Sequence, residues 1–278
     1  MANFHRLTVG EIECVVIHEG ATTFAASDLA GRYPNATEEM VMAALDAIGA
    51  SKEQAESHLN CLYIQTGGTR ILADTGFGEK RPAPVGQAIP SLKAAGIQPE
   101  EIDIVYLTHF HGDHIIGLVT EDGSPTFSNA RYVTMQIEWD HWMKTWAESD
   151  QEHHQQMLAM MQSLQERFSF VSDGDEVAAG VTAILAPGHS PGHSGLLVES
   201  GGEQLLDLVD MLHNTTQFLH PEWHFKFDTD GALAERTRRA QLERCASEKL
   251  FTMFYHLPFP GLGHVVKEGD SYRWQPIV

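Results

Sequence analysis

Apolar runs and periodicities divide the chain into strands and two helical insertions. Val15 to Ile17, Leu62 to Gln65 and Thr69 to Leu72 carry strand-type residues, and Gly67-Gly68 predicts a hairpin turn between the last two, leading into Asp74. Ile102 to Leu107 is a nearly continuous apolar strand, IDIVYL, and Val181 to Leu185 and Gln204 to Val209 read as strands too. In TEEMVMAALDAIGASKEQAESH, Val41, Ala44, Leu45 and Ile48 recur at i, i+3, i+4 and i+7. Thr37 can cap that helix, and Ser51 with Gln54 resembles a second capping box, so a small helical insertion is expected here, either packed as core or serving as a lid. A second segment, residues 135–168, carries Trp139, Trp142 and Trp146 and then Met157, Met160, Met161 and Leu164. That stripe predicts one or two helices packed on the sheet, with a homodimer contact or a substrate wall as its other expected uses.

Each strand-like run delivers a polar segment, and those segments carry the chemistry. IDIVYL runs into THFHGDH (108–114), which packs His109, His111, Asp113 and His114 into six positions. Imidazole and carboxylate ligands suit zinc, iron, cobalt, nickel or manganese, and two ligand pairs this close point to two ions rather than one. Extended spacing puts His109 and His111 on one side of the chain, and Gly112 is expected to let the backbone turn so that Asp113 and His114 address the second ion. Further donors follow strand ends: His189 and His193 in APGHSPGHSG, Asp207, Asp210 and His213 in LLDLVDMLH, and His256 and His264 in YHLPFPGLGH. Asp74, at a strand end, is expected either to orient a ligand histidine by accepting its hydrogen bond or to cap a turn.

Together with ILADTG (71–76), these segments resemble the metallo-β-lactamase superfamily of hydrolases in motif, order and spacing, over nearly the whole chain. SPTFSNARYVTMQIEWDHW, QFLHPEW and HLPFPGLGH resemble, more narrowly, the branch of acyl-homoserine-lactone lactonases and methyl-parathion-hydrolase-like enzymes. The resemblance implies an α/β fold, an αββα four-layer sandwich with helical insertions, here as one domain spanning 1–278. It implies two divalent metal ions per chain, zinc foremost with iron, cobalt or manganese as alternatives. His109, His111 and His189 would hold one, Asp113, His114 and His256 the other, and Asp210 would bridge them, with Asp207 as the competing bridge. Two departures from the family pattern add bulk beside the metals: Val209 and Ile116 stand where relatives often carry glycine.

The function implied is hydrolysis by a metal-bridging hydroxide, with one cation polarising the substrate oxygen. Asp210, His213 and Asp113 are the candidate catalytic residues. His213 occupies the position where superfamily lactonases often carry a substrate-binding tyrosine, and an imidazole there can donate to a carbonyl or a leaving oxygen, or be structural. His193 and His264 are expected to support ligands rather than to bind metal. The expected substrate is a small neutral lactone, an N-acyl-homoserine lactone above others, with organophosphate triesters or aryl esters as the alternative. A β-lactamase is disfavoured because Asp210 replaces the cysteine ligand of the commonest dinuclear type, and a di-iron redox enzyme because His111 stands in place of a glutamate. A non-catalytic metal-binding protein would need an incomplete ligand set, and every ligand position is filled.

Composition narrows the partners further. A net charge of −20, from 18 basic against 38 acidic residues, excludes a phosphate-neutralising nucleic-acid surface. Cys14, Cys61 and Cys245 are odd in number and lie outside every motif, as reduced thiols would. No signal-like or membrane-spanning apolar run is present, and a cytoplasmic enzyme without a membrane partner is expected. Phe24, Phe110, Phe218, Trp223 and Phe259 are the aromatic residues close to the motifs that could line a substrate pocket.

Overall fold

The computed structural model describes residues 3–81 and 83–277. Two seven-stranded sheets face each other. The first runs in chain order through β1 (Phe4–Val9), β2 (Ile12–Ala25), β3 (Gln54–Thr66), β4 (Thr69–Ala73), β5 (Ile104–Tyr106), β6 (Arg131–Met135) and β7 (Phe168–Val171). It is antiparallel from β1 to β4 and parallel from β4 to β7. The second contains β8 (Glu176–Ala178), β9 (Val181–Leu185), β10 (Ser194–Ser200), β11 (Glu203–Asp207), β12 (Phe251–Met253), β13 (Leu262–Glu268) and β14 (Ser271–Pro276), with only β11 and β12 parallel among these described strands.

The helices are α1 (Glu38–Ala47), α2 (Ala88–Ala94), α3 (Gly112–Ile115), α4 (Gln136–Ala147), α5 (Glu152–Leu164), α6 (Thr216–Leu219) and α7 (Gly231–Glu248). Side-chain alternation along the strands builds the layers. On β2, Cys14 and Val16 pack between the sheets with Val181, Leu196 and Leu205, whereas Val15 and Ile17 face the outer layer with Leu92, Trp146, Met161 and Leu164. Leu242 and Cys245 of α7 cover the second sheet from its other side, with Leu206 and Phe254. The architecture is the αββα sandwich expected from the sequence. None of its described helices is long and apolar enough to cross a membrane.

Several local expectations hold. Gly67 and Gly68, both at positive φ, close the β3–β4 hairpin with Thr66 opposite Thr69. Thr37 caps α1 by accepting from Met40 N at 3.2 Å. The tryptophan and methionine stripe forms two helices, α4 and α5, whose apolar residues pack on the first sheet as core. All three cysteines are free and buried.

Other expectations need correction. Ser51 accepts from Glu53 N and Gln54 N at 3.2 Å each, as a cap would, yet no second helix follows. The chain enters β3 instead, because residues 54–66 gain a full ladder against β2, which outweighs their local helical pattern. Gly112 has no positive φ: Asp113 and His114 are re-aimed by the single turn α3, for which His111 supplies the extended N-cap residue.

Candidate metal centre

Four parallel or neighbouring strands end on one side of the sandwich, and each hands its chain to the site. β5 leads to His109 and His111, β9 to His189, β11 to Asp210, and β12 to His256. Two non-glycine residues beside the site take the left-handed region, Asp74 at φ 61° after β4 and Val209 at φ 49° after β11. Backbone of this kind costs about 1–3 kcal/mol per residue and persists where the surroundings over-determine it. At Val209 the side chain is buried within the same apolar cluster as Tyr255, whose backbone N–H donates to the Val209 carbonyl at 3.2 Å.

The side chains converge closely. His111 Nδ1 lies 2.9 Å from His189 Nε2 and 3.2 Å from His109 Nε2. Asp210 sits between two groups of donors: Oδ1 is 3.3 Å from His114 Nε2, and Oδ2 is 3.3 Å from His189 Nε2, 3.6 Å from His109 Nε2 and 3.1 Å from His256 Nε2. Asp113 reaches the second group, 3.8 Å from His114 Nε2 and 3.6 Å from His256 Nε2. Ligand atoms of His109, His111, His189 and Asp210 all lie within 4.8 Å of one another, as do those of Asp113, His114 and His256. A third such group, Asp210, His213 and His256, brings His213, a strand-end donor expected to be catalytic or structural, within ligand distance too.

Hydrogen bonds behind the imidazoles set which nitrogen faces inward. His114 Nδ1 donates to Asp74 Oδ2 at 2.7 Å, His189 Nδ1 to Asp228 Oδ1 at 2.9 Å, and His256 Nδ1 to the carbonyl of His58 at 3.1 Å. His109 Nδ1 donates to Thr108 Oγ1 at 3.1 Å, and Thr108 in turn donates from Oγ1 and N to Asp74 at 2.7 and 3.0 Å. Such partners hold a ring in one tautomer and raise its basicity. Asp74 therefore orients a histidine, and its turn position is what allows it to do so.

Charge in the cluster is drawn to its centre. Burial and then the neighbouring imidazoles hold His109 and His111 well below the ordinary imidazole range. Burial opposes protonation of His114 and His189 as well, but Asp210 and the carboxylate behind each ring pull His114 well up and His189 to about 9. His114 Nε2 and Asp210 Oδ1 are nevertheless buried without a hydrogen-bond partner among the described residues. Buried polar atoms are normally satisfied. Inward-facing imidazole nitrogens and carboxylate oxygens left partly unsatisfied in this way fit divalent cations.

The remaining candidates fall outside the cluster. His193 receives Asp210 N–H on Nε2 at 3.2 Å and donates from Nδ1 to the Ala186 carbonyl at 2.9 Å, so it supports Asp210 as expected. His264 does not: it is exposed on β13, bonded to the Leu250 carbonyl and packed on Phe251. Asp207 accepts from Val209 N at 3.2 Å and reaches none of these imidazoles, and burial lifts its carboxyl to about 8. The cavity above the cluster, about 450 Å³, is lined by Phe77, Phe225, Phe227, Leu59 and Ile116. Of the aromatics proposed from sequence, Phe110, Phe218 and Trp223 are buried core, Phe24 lies under Arg32, and Phe259 packs on His18.

Two residues that organise the site were not visible in the motifs. Glu138, fully buried on α4, accepts from Phe110 N (3.0 Å), Trp142 Nε1 (2.7 Å), Ser190 Oγ (2.6 Å) and Gly192 N (2.8 Å), and so ties the His109–His111 loop to the His189 loop. A side chain at Gly192 would put its Cβ 2.4 Å from Glu138 N, so glycine is required by that approach. Asp228 holds His189 with one oxygen and accepts from Phe225 N with the other at 2.8 Å. A carboxylate interrupting the apolar side of the tryptophan stripe was the available signal for Glu138; Asp228 lies in no pattern at all.

Comparison with known proteins agrees with the geometry. Residues 56–252 match the family model described as the metallo-beta-lactamase superfamily. An N-acyl homoserine lactonase of Bacillus cereus is 27% identical over 216 residues, covering 70% of this chain and 80% of the relative. Among solved structures, the dizinc quorum-quenching lactonase AidC, in complex with a product, superposes with a TM-score of 0.91 at 27% identity over 99% of this chain and 98% of its own. The hydrolase AbOPH superposes at 0.88, also at 27% identity, over 100% of this chain and 98% of its own. With strands, donor cluster and family model in agreement over more than half its length, the chain belongs to the metallo-β-lactamase superfamily and is a metal-dependent hydrolase.

Proposed function

We propose that this protein opens lactones, N-acyl-homoserine lactones above others, at a centre of two divalent cations, zinc by preference, held by His109, His111 and His189 on one side and by Asp113, His114 and His256 on the other. The observation that carries this reading is the position of Asp210 between two donor groups at the floor of a largely apolar cavity. Likeness to AidC and to the Bacillus lactonase supports the substrate class. When bound, such cations supply Lewis acidity and make hydroxide available at neutral pH.

The chain's own residues account for the rest. Asp210 would hold both groups together, and its carboxylate is the base nearest the reacting centre. Asp113, with 24% of its side chain exposed against 3% for Asp210, is the more open carboxylate and faces the substrate side. His213 lies flat on Phe225, ring centroids 3.6 Å apart, which fixes its plane while Nε2 stays 3.3 Å from Asp210. Ring opening leaves an alkoxide tethered to the product, and that oxygen needs a proton; Asp210 is in place to pass on the one taken from the nucleophile, and His213, kept neutral by burial that pulls its imidazole down to about 3, can donate an N–H hydrogen bond to the same oxygen. The apolar walls exclude bulk water and accept an acyl chain.

The test is turnover by zinc-loaded protein of an N-acyl-homoserine lactone, a nitrophenyl ester and a paraoxon-type triester. A higher kcat/KM for the lactone is expected, and a higher value for the triester would move the assignment to phosphotriester hydrolysis. His213→Ala is expected to lower lactone turnover by roughly ten- to a thousand-fold at unchanged metal content, with a smaller loss for the nitrophenyl ester, whose phenol leaves unprotonated. A fall in bound metal would instead make His213 a ligand. Asp74→Asn and Asp228→Asn are each expected to weaken one cation by about 10–100-fold, as loss of an orienting carboxylate does. Competition with a chelating dye reads this directly, and unchanged affinity in both variants would remove those carboxylates from the centre.

A further inference from the structure

The cavity over the cluster is mostly apolar, yet Arg32 and Arg81 both line it. With 38 acidic residues against 18 basic ones, this chain offers a cation many partners. Arg6, Arg70, Arg238, Arg239, Arg244 and Arg273 all lie at ion-pair distance from an Asp or Glu. Arg32 does not: among the described residues no carboxylate pairs with its guanidinium and no group accepts a hydrogen bond from it. The guanidinium rests on the face of Phe24, Cζ 3.8 Å from the ring centroid, and burial pulls its pKa below the ordinary value. Arg81 also lies over an aromatic ring, Phe77 at 4.9 Å, but it is exposed on the rim, where its guanidinium keeps its access to solvent.

A half-buried guanidinium with its donors unclaimed has lost hydration without recovering it. Stacking on an aromatic face offsets part of that loss and leaves the in-plane N–H groups free. The position of Arg32 is well defined. It ends a 3-10 turn, Ala26–Arg32, and its carbonyl accepts from Lys226 N at 2.8 Å, which fixes it beside the Phe225–Phe227 segment. Phe225 in turn stacks on His213, and His213 adjoins Asp210. Arg32 therefore lies on the wall next to the reacting centre and outside it, where a substrate group a few bonds from the reacting carbonyl would be.

We infer that Arg32 is a specificity-determining residue that donates hydrogen bonds to a second, non-reacting carbonyl oxygen of the substrate, the amide oxygen of an N-acyl lactone. The inference rests on the lactone reading above and deepens it, since it distinguishes lactones that carry an acyl amide from those that do not. A neutral amide is favoured over a carboxylate at this position because the net charge of −20 opposes the approach of an anion. The acyl chain beyond the amide would then run along Phe227, which is 58% exposed at the mouth of the same cavity.

The test compares zinc-loaded wild type and Arg32→Met, which keeps an apolar stem on Phe24 and removes every donor. Three substrates are used: N-hexanoyl-homoserine lactone, an alkyl γ-lactone of matched length with methylenes in place of the amide, and a γ-lactone carrying a carboxylate there. Arg32→Met is expected to lower kcat/KM for the acyl amide by about ten- to a hundred-fold, chiefly through KM, and to change the alkyl lactone by less than about threefold, in keeping with loss of hydrogen bonds from a charged donor. Calorimetric binding of the ring-opened product, N-hexanoyl-homoserine, is expected to weaken by a similar factor. Equal losses on amide and alkyl lactones, or a loss confined to the carboxylate-bearing one, would overturn the role of Arg32 and leave the lactone reading standing. Wild type with both metals bound that opens none of the three would overturn the lactone reading itself and this inference with it.

Discussion

Treating the protein with a chelator is expected to bring hydrolysis down to the uncatalysed background, and adding back zinc, cobalt or manganese to restore it. The imidazoles of the cluster face one another at 2.9–3.2 Å, an arrangement suited to holding cations, and the proposed mechanism takes its hydroxide from those cations. Metal analysis of the untreated protein should find close to two equivalents per chain. A second readout does not depend on turnover. Because the ligand atoms are gathered only in the folded chain, bound metal should stabilise it by roughly 4 kcal/mol for each site when free metal stands about a thousandfold above Kd, and chelation should lower Tm accordingly. Full activity in a preparation shown to be metal-free would end the mechanism proposed here.

Asp210→Asn carries the next largest expectation, a fall in turnover of about 10²–10³-fold, the scale seen when one preorganised charge-stabilising group is removed. Its two oxygens address different donor groups, Oδ1 toward His114 and Oδ2 toward His109, His189 and His256, and an amide would turn one of them into a donor aimed at a cation. His193 would still accept the Asp210 backbone N–H, so the loop geometry should survive. Asp207→Asn is the control. Asp207 is bonded to Val209 N and stands apart from the imidazoles, and its loss should cost far less activity. The reverse ranking would transfer the bridging role to Asp207. In the same series, His189→Ala should empty mainly the His109 and His111 group and His256→Ala mainly the Asp113 and His114 group, and loss at the opposite group would overturn the partition.

Much of the site was legible because its donors sit in short segments that local chemistry punctuates. THFHGDH after an apolar run, His189 after Pro187-Gly188, and Asp210 after Gln204 to Val209 are readable one segment at a time, and strand ends are where a rigid scaffold can present them. Asp74 was legible for the same reason. Local pattern also misled. Residues 51–58 carry helical capping chemistry, and only pairing with β2 makes most of them strand. Near the motifs, Phe110 and Trp223 are as apolar as Phe225 and Phe227, and no periodicity tells a residue that fills the core from one that lines a cavity.

What the sequence determined by itself, then, is the set of metal-binding residue types, their order and the strands that deliver them, because each depends on a few adjacent residues. Tertiary structure alone decided how those segments face one another. It put Asp210 rather than Asp207 among the imidazoles, brought His213 within reach of the same carboxylate, and moved His264 away to an exposed strand. It also recruited Glu138 from α4, Asp228 from the loop before α7 and Arg32 from the turn after β2, residues separated from the motifs along the chain and joined to them only by packing. Hydrogen bonds and burial act through space, and a buried carboxylate can serve two loops or one histidine from any position whose backbone the fold carries there.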